Sequence, residues 1–206
     1  MKAAQSSEDN AKITESENSR KAKRWFFSTL VLLTVLLIGT AAMVIFVDPY
    51  FHYHKPLSFL SYRIYEERYV NDGISRHFTY DAVITGTSMA QNFKTSELDE
   101  LFGTHSVKEP FSGADFRELS ENLNRTLQYG QEVKMVVMPL DYNALLQAAD
   151  WQKYEEYPTY LYDNNIFNDA RYVWNKAIFY HGVVADLLRT VSGEPSTTMD
   201  EYSSWV

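Results

Sequence analysis

The stretch Asp81-Ala82-Val83-Ile84-Thr85-Gly86-Thr87-Ser88-Met89 decides the fold. An apolar run stops abruptly at Gly-Thr-Ser, so a buried strand ends where a helix can begin. A serine at that junction has its oxygen exposed beside unpaired backbone N–H groups, the arrangement that acyl transfer requires. The same letters also describe a tight turn in which Thr87 or Ser88 caps the next helix. Spacing alone leaves both readings open.

Outward from this strand, pieces of strand and helix alternate. Residues 82–85 form the first strand, 106–109 a weak second one, and 133–138 a third that ends at Pro139. Residues 95–102, closed by Gly103, separate the first two strands. Residues 114–129 separate the second and third, with Phe116, Leu119, Leu123 and Leu127 on one face and Gly130 at the end. The order β-α-β-α-β is that of an α/β fold with a parallel sheet and covering helices. Before it, residues 57–70 read as a short helix ending ahead of Asn71-Asp72-Gly73. After it, residues 169–190 read as the last helix, with Val173, Trp174, Ala177, Ile178, Ala185 and Leu188 in a stripe.

Residues 25–47 carry no charge, and 23 helical residues at about 1.5 Å each span roughly 34 Å, enough for a hydrocarbon core of about 30 Å. Arg20, Lys21, Lys23 and Arg24 precede this run and Asp48 follows it, which puts the N-terminus in the cytoplasm and the remainder outside. The organisation expected is a disordered cytoplasmic tail over 1–24, a transmembrane helix over 25–47 in contact with membrane lipid, a membrane-proximal segment over 48–80 and an α/β domain over 81–206. A cleaved signal peptide is the competing reading of the apolar run, although its core is usually only about 7–15 residues long. The aromatic segment Asp48-Pro49-Tyr50-Phe51-His52-Tyr53-His54-Lys55-Pro56 reads as an interfacial belt at headgroup level.

From position 25 onward, 23 acidic residues outnumber 13 basic ones, which argues against nucleic acid as a partner. The chain has no cysteine, so disulfides, thiolate catalysis and sulfur-ligated metals are excluded. His52 and His54 form a metal pair only if a third ligand joins them, and none is near in sequence, so neither metal nor cofactor is expected. Glu97, Asp99 and Glu100 sit within one helix turn and read as a solvated face. Tyr154, Tyr157, Tyr160 and Tyr162 read either as a packing cover or as a stacking surface for glycans.

The run Tyr80 to Phe93, behind an apolar N-terminal helix and Asp48-Pro49-Tyr50-Phe51, resembles the SGNH/GDSL hydrolase superfamily. Within it the chain resembles membrane-anchored bacterial cell-envelope proteins akin to the D-alanine transfer family of teichoic acid modification. The resemblance covers about residues 44–206, and its first block is the specific part. It implies a three-layer, flavodoxin-like fold, of which residues 81–206 would be a part with a short parallel sheet. It also implies that Ser88 is the nucleophile, in Gly-Thr-Ser-Met where the family has Gly-Asp-Ser-Leu. The Ser88 N–H and Gly113, in Phe111-Ser112-Gly113-Ala114, would form the oxyanion hole. Asn143 is the nearest candidate for the family's third donor, in Pro139-Leu140-Asp141-Tyr142-Asn143, which departs from Gly-x-Asn-Asp; an ionised Asp141 cannot donate.

The family's Asp-x-x-His, which supplies the general base, is absent from the sequence. After Ser88 the histidines are His105, in a loop before the second strand, and His181, expected as a packed residue inside the last helix. With three strands where the family uses about five, the chain reads as the front part of a longer protein. The expected function is that of a membrane-anchored, extracytoplasmic acyl esterase or acyltransferase acting on cell-envelope polymers, with little turnover from these residues alone. The alternative is a non-catalytic, single-pass surface scaffold that binds a partner or a wall glycan.

Overall fold

The computed structural model describes residues 2–130, 132–146, 148, 158–163 and 165–205, with side chains from residue 17 onward apart from 143 and 144. It divides into two units, Met1–Ala42 and Met43–Val206.

Helix α1 (Lys2–Val47) supplies the first unit, and its last residues open the second. Among the described residues it is the one helix long and apolar enough to cross a membrane, over Glu17–Val47, within which an 18-residue window has a mean hydropathy of 2.8. The expectation of disorder over 1–24 is corrected, because the helix continues through that segment. Residues 1–24 contain no Pro or Gly and several Ala, Lys and Glu, and extension from an existing helix avoids the cost of nucleation.

The second unit is α/β. Its elements are α2 (Glu67–His77), β1 (Ala82–Gly86), α3 (Thr95–Phe102), β2 (Ser106–Pro110), α4 (Phe116–Tyr129), β3 (Met135–Val137), α5 (Tyr142–Leu145), α6 (Ala170–Val173) and α7 (Ala185–Val191). The three strands make a parallel sheet in the order β2-β1-β3, with Ala82 level with both Ser106 and Met135. Central β1 is buried throughout, as a parallel strand covered on both faces should be. Strand β3 is only three residues long and leaves Val136 38% exposed.

Successive residues of β2 point to opposite faces and show what covers each. Glu109 meets Ser75 of α2 at 2.8 Å and Asn122 and Thr126 of α4 at 2.7 and 2.6 Å. On the other face, Lys108 donates from Nζ to the carbonyls of Gln91 at 2.7 Å and Asp200 at 3.0 Å. Both side chains are fully buried. Strand β2 read as weak because its middle is Lys-Glu, and each charge is matched by polar groups from the layer that covers it.

Three expectations are corrected by the packing. Residues 57–66 hold no helix, and α2 runs straight through Asn71-Asp72-Gly73. Asn71 donates to the Pro110 carbonyl at 2.8 Å and accepts from the Tyr202 hydroxyl at 2.5 Å, while Asp72 pairs with Arg76 at 2.8 Å and also with Arg125. A Cβ at Gly73 would lie 2.7 Å from the Phe51 carbonyl oxygen, so glycine is needed here for close approach. Helix α4 is capped by Asp115, which accepts from Glu118 N at 2.7 Å, but it turns Leu119, Asn122 and Thr126 inward around Glu109. Phe116 and Leu127 of its apolar stripe stay 44% and 47% exposed. The last helix is broken: after α6, Asn175 Oδ1 accepts from Ala177 N and Ile178 N, and a π-helical stretch, Ile178–Val184, leads into α7. A Cβ at Gly182, inside that stretch, would lie 2.6 Å from Pro49 Cγ.

The aromatic segment after α1 is core rather than interfacial belt, since Tyr50 and Phe51 are 4% and 0% exposed. Asp48, with φ +48°, turns the chain, and its fully buried carboxylate accepts four hydrogen bonds. These come from His52 N (3.0 Å), Tyr53 N (2.7 Å), His54 N (2.9 Å) and the Tyr172 hydroxyl (2.8 Å). Asp48→Ala strands all four donors and is expected to lower stability by roughly 3 kcal/mol or more, read from thermal or denaturant unfolding of the solubilised chain.

Burial pushes the carboxyls of Glu109 and Asp186 up to about 7 in the folded chain. Unfolded, they titrate near 4.5 and 3.8. Between those values and pH 7 the folded state holds more protons, so stability is greatest at the acid end of the window and falls as pH rises through it, by about 1.4 kcal/mol per unit of displacement. In unfolding measurements from pH 4.5 to 7.5, Glu109→Gln should flatten part of this decline; an unchanged slope would refute the assignment to Glu109.

Candidate functional site

At the carboxyl edge of the sheet the loops that follow the three strands meet. Gly86 closes β1 with φ +147°, and a Cβ there would lie 3.1 Å from Ala90 Cβ and 3.3 Å from Pro139 Cδ. Glycine therefore allows the loop after β3 to pack against the loop after β1. Thr87 caps the 3-10 turn Ser88–Ala90 by accepting from Met89 N at 3.4 Å, and its hydroxyl donates to Asp141 at 3.3 Å. Capping thus falls to Thr87 and leaves Ser88 available. Ser88 is half-buried, and its hydroxyl has no hydrogen-bond partner among the described residues.

Gly86 is level with Pro110, so Ser88 and Gly113 follow the ends of neighbouring parallel strands by two and three residues. Phe111 N donates to the Gly86 carbonyl at 2.9 Å, which extends the pairing one residue past the strands. Gly113 takes φ +63°, a left-handed turn that suits glycine, and neither its N–H nor that of Ser88 is engaged by another described residue. Asn143 lies in α5, and its side chain falls outside the described residues.

Sequence reasoning missed Glu67, the group that ties these loops together. From the first turn of α2 its carboxylate accepts from Gln91 Nε2 at 2.5 Å, three residues after Ser88, and from Ser112 N, one residue before Gly113. Ser203 also donates to it. A cleft of about 340 Å³ opens beside this clamp, lined by Tyr65, Glu66, Tyr69, Gln91 and Ser112 among others. The segment from Asp200 to Trp205 packs over the same loop: Asp200 accepts from Thr95 Oγ1, Ser96 N and Ser96 Oγ, and Asn92 accepts from Trp205 N. No local pattern marks Glu67, because its partners come from loops 24 to 136 residues away.

The structure brings neither distal histidine to Ser88. His105 lies at the opposite, amino edge of the sheet, where its N–H donates to Asp81 at 2.6 Å, about 13–17 Å of strand away. His181 is exposed on the π-helical stretch rather than packed in the core, and its carbonyl accepts from Tyr65 at 3.3 Å. The imidazoles of His52 and His54 diverge. His52 Nε2 faces Asp169 at 3.3 Å, while His54 lies between the carbonyls of Lys55 and Ile45 at 2.8 and 3.1 Å. Among the described residues no group of three possible metal ligands forms.

A larger cleft, about 520 Å³, is at the amino edge, lined by His77, Asp81, His105, Tyr129 and Lys134 among others. Parallel α/β sheets place their reactive groups beyond the carboxyl ends of the strands, and the Ser88 edge is the better candidate on that ground. Tyr160 is buried and Tyr162 donates to the Arg68 carbonyl at 2.7 Å, so both serve packing; Tyr154 and Tyr157 lie outside the described residues.

Compared with protein-family models, with curated proteins and with solved structures, the chain has no match in any of the three.

Proposed function

We propose that α1 anchors the chain in a membrane, with residues 1–24 cytoplasmic and 48–206 outside, and that the outer unit belongs to a serine-dependent acyl esterase or acyltransferase of SGNH type acting on cell-envelope polymers. Ser88 Oγ bonds to the acyl carbon, the ester oxygen leaves with a proton, and the acyl group passes on to water or to a polymer hydroxyl. The Ser88 and Gly113 N–H groups hold the tetrahedral oxyanion, with Asn143 as a third donor. The observation that carries the reading is the pair of unengaged N–H groups, Ser88 and Gly113, just beyond the ends of adjacent parallel strands. The strand order β2-β1-β3 supports it, being the order with which flavodoxin-like sheets begin. The basic cluster at residues 20–24 supports the orientation. A general base has to come from outside the described residues.

A second reading, a non-catalytic surface scaffold, is favoured by the lack of any histidine near Ser88. A fluorophosphonate separates the two, because it reacts with an activated serine and barely with a free hydroxyl. Under the enzyme reading the chain labels once the segment that supplies the general base is present, Ser88→Ala then does not, and Glu67→Ala labels about tenfold or more slowly because the loops carrying Ser88 and Gly113 lose their clamp. With that segment present, labelling that is absent, or equal in the chain and in Ser88→Ala, removes Ser88 as nucleophile and leaves the scaffold.

A further inference from the structure

The last turn of α1 ends in carbonyls that the helix cannot satisfy, and two of them are met by side chains from the two ends of one loop. His54 Nε2 lies 3.1 Å from the Ile45 carbonyl. Tyr62 donates to the Val47 carbonyl at 2.9 Å and accepts from Leu57 N at 3.2 Å. Residues 55–60 are therefore tied at both ends to the end of the apolar helix, and Leu57 in the middle is tied to Tyr62. Within the loop, Leu60 N donates to the Leu57 carbonyl at 3.1 Å and closes a tight turn.

That turn carries Phe59, which is 62% exposed although Tyr50 and Phe51, a few residues earlier, are buried. The Phe59 ring centroid lies 6.3 Å from that of Phe46, itself 57% exposed in the last turn of α1. Lys55, at the base of the loop, is exposed as well. A phenylalanine at the tip of a tight turn, beside the final aromatic of an apolar run and with a lysine at its root, has the composition of an interfacial anchor: ring at the acyl boundary, ammonium among phosphates.

We propose that the loop 55–60 is a membrane-contacting foot, in which Phe59 enters the headgroup–acyl boundary of the bilayer beside Phe46. This rests on the reading of α1 as an anchor. The ring separation of 6.3 Å is the most by which the depth of Phe59 can differ from that of Phe46. His54 is the tie on the amino side of the loop. Desolvation lowers its affinity for a proton, but the Lys55 carbonyl, the Asp48 carboxylate and the Ile45 and Phe46 carbonyls together outweigh this and raise it above that of an ordinary imidazole.

The chain has no cysteine, so single-cysteine variants carry one spin label each. The full chain, in vesicles of phosphatidylcholine with one quarter phosphatidylglycerol, is labelled at Phe59→Cys, at Leu36→Cys inside the apolar run, and at Leu101→Cys in α3, where the native side chain is 76% exposed. Collision with dissolved oxygen, which partitions into lipid, is compared with collision with a water-soluble nickel chelate. The expected oxygen-to-nickel ratio at 59 is several-fold above that at 101 and approaches that at 36. A ratio at 59 equal to that at 101, with 36 lipid-like, overturns the foot and leaves the anchor standing. An aqueous ratio at 36 overturns both. Shielding of 59 from both reagents, with dipolar broadening from a second label, assigns the face to another copy of the chain and also overturns it. Unfolding curves matching the unsubstituted chain verify that each variant is folded.

Discussion

The second unit depends on one buried carboxylate. Asp48 is the first charged residue after the apolar run, and a charge with no exposure is tolerated only where donors surround it. Three of its donors are the backbone N–H groups of the next turn of chain, and the fourth is Tyr172, 124 residues later. The carboxylate thus fixes the direction in which the chain leaves the helix and brings α6 to that exit. Tyr50, Phe51 and Pro49 then reach Tyr172, Tyr62 and Gly182, so the aromatic core is assembled around the turn that Asp48 sets.

Polar groups do the same in the sheet. Burying Glu109 and Lys108 side by side on β2 costs desolvation on both, and the cost is offset by matched partners rather than by each other. The partners come from four separate segments: α2 and α4 on one face, the loop after Ser88 and the segment near Asp200 on the other.

The strand–turn–serine junction was legible because it is local: an apolar run, then Gly-Thr-Ser, then a helix closed by Gly103. Gly113 was legible for the same reason, as a glycine between a strand and a helix. Helix α2 was misplaced because Asn71-Asp72-Gly73 has the letters of a stop, and only contacts with Pro110, Tyr202 and Phe51 turn it into helix. The face of α4 was misjudged because the period of its leucines is real but Glu109 recruits Asn122 and Thr126 instead. Glu67 was invisible because a clamp between loops has no sequence period at all.

The Lys108 ammonium carries a consequence for biosynthesis. One of its two acceptors is the carbonyl of Asp200, 92 residues further along the chain. At about 5–20 residues per second, synthesis of that interval takes roughly 5–20 s, during which β2 can pair with β1 but its buried cation lacks one of its two ligands. The outer face of the sheet therefore closes late, and the nascent chain spends that interval with a partly matched charge at the edge of its growing core.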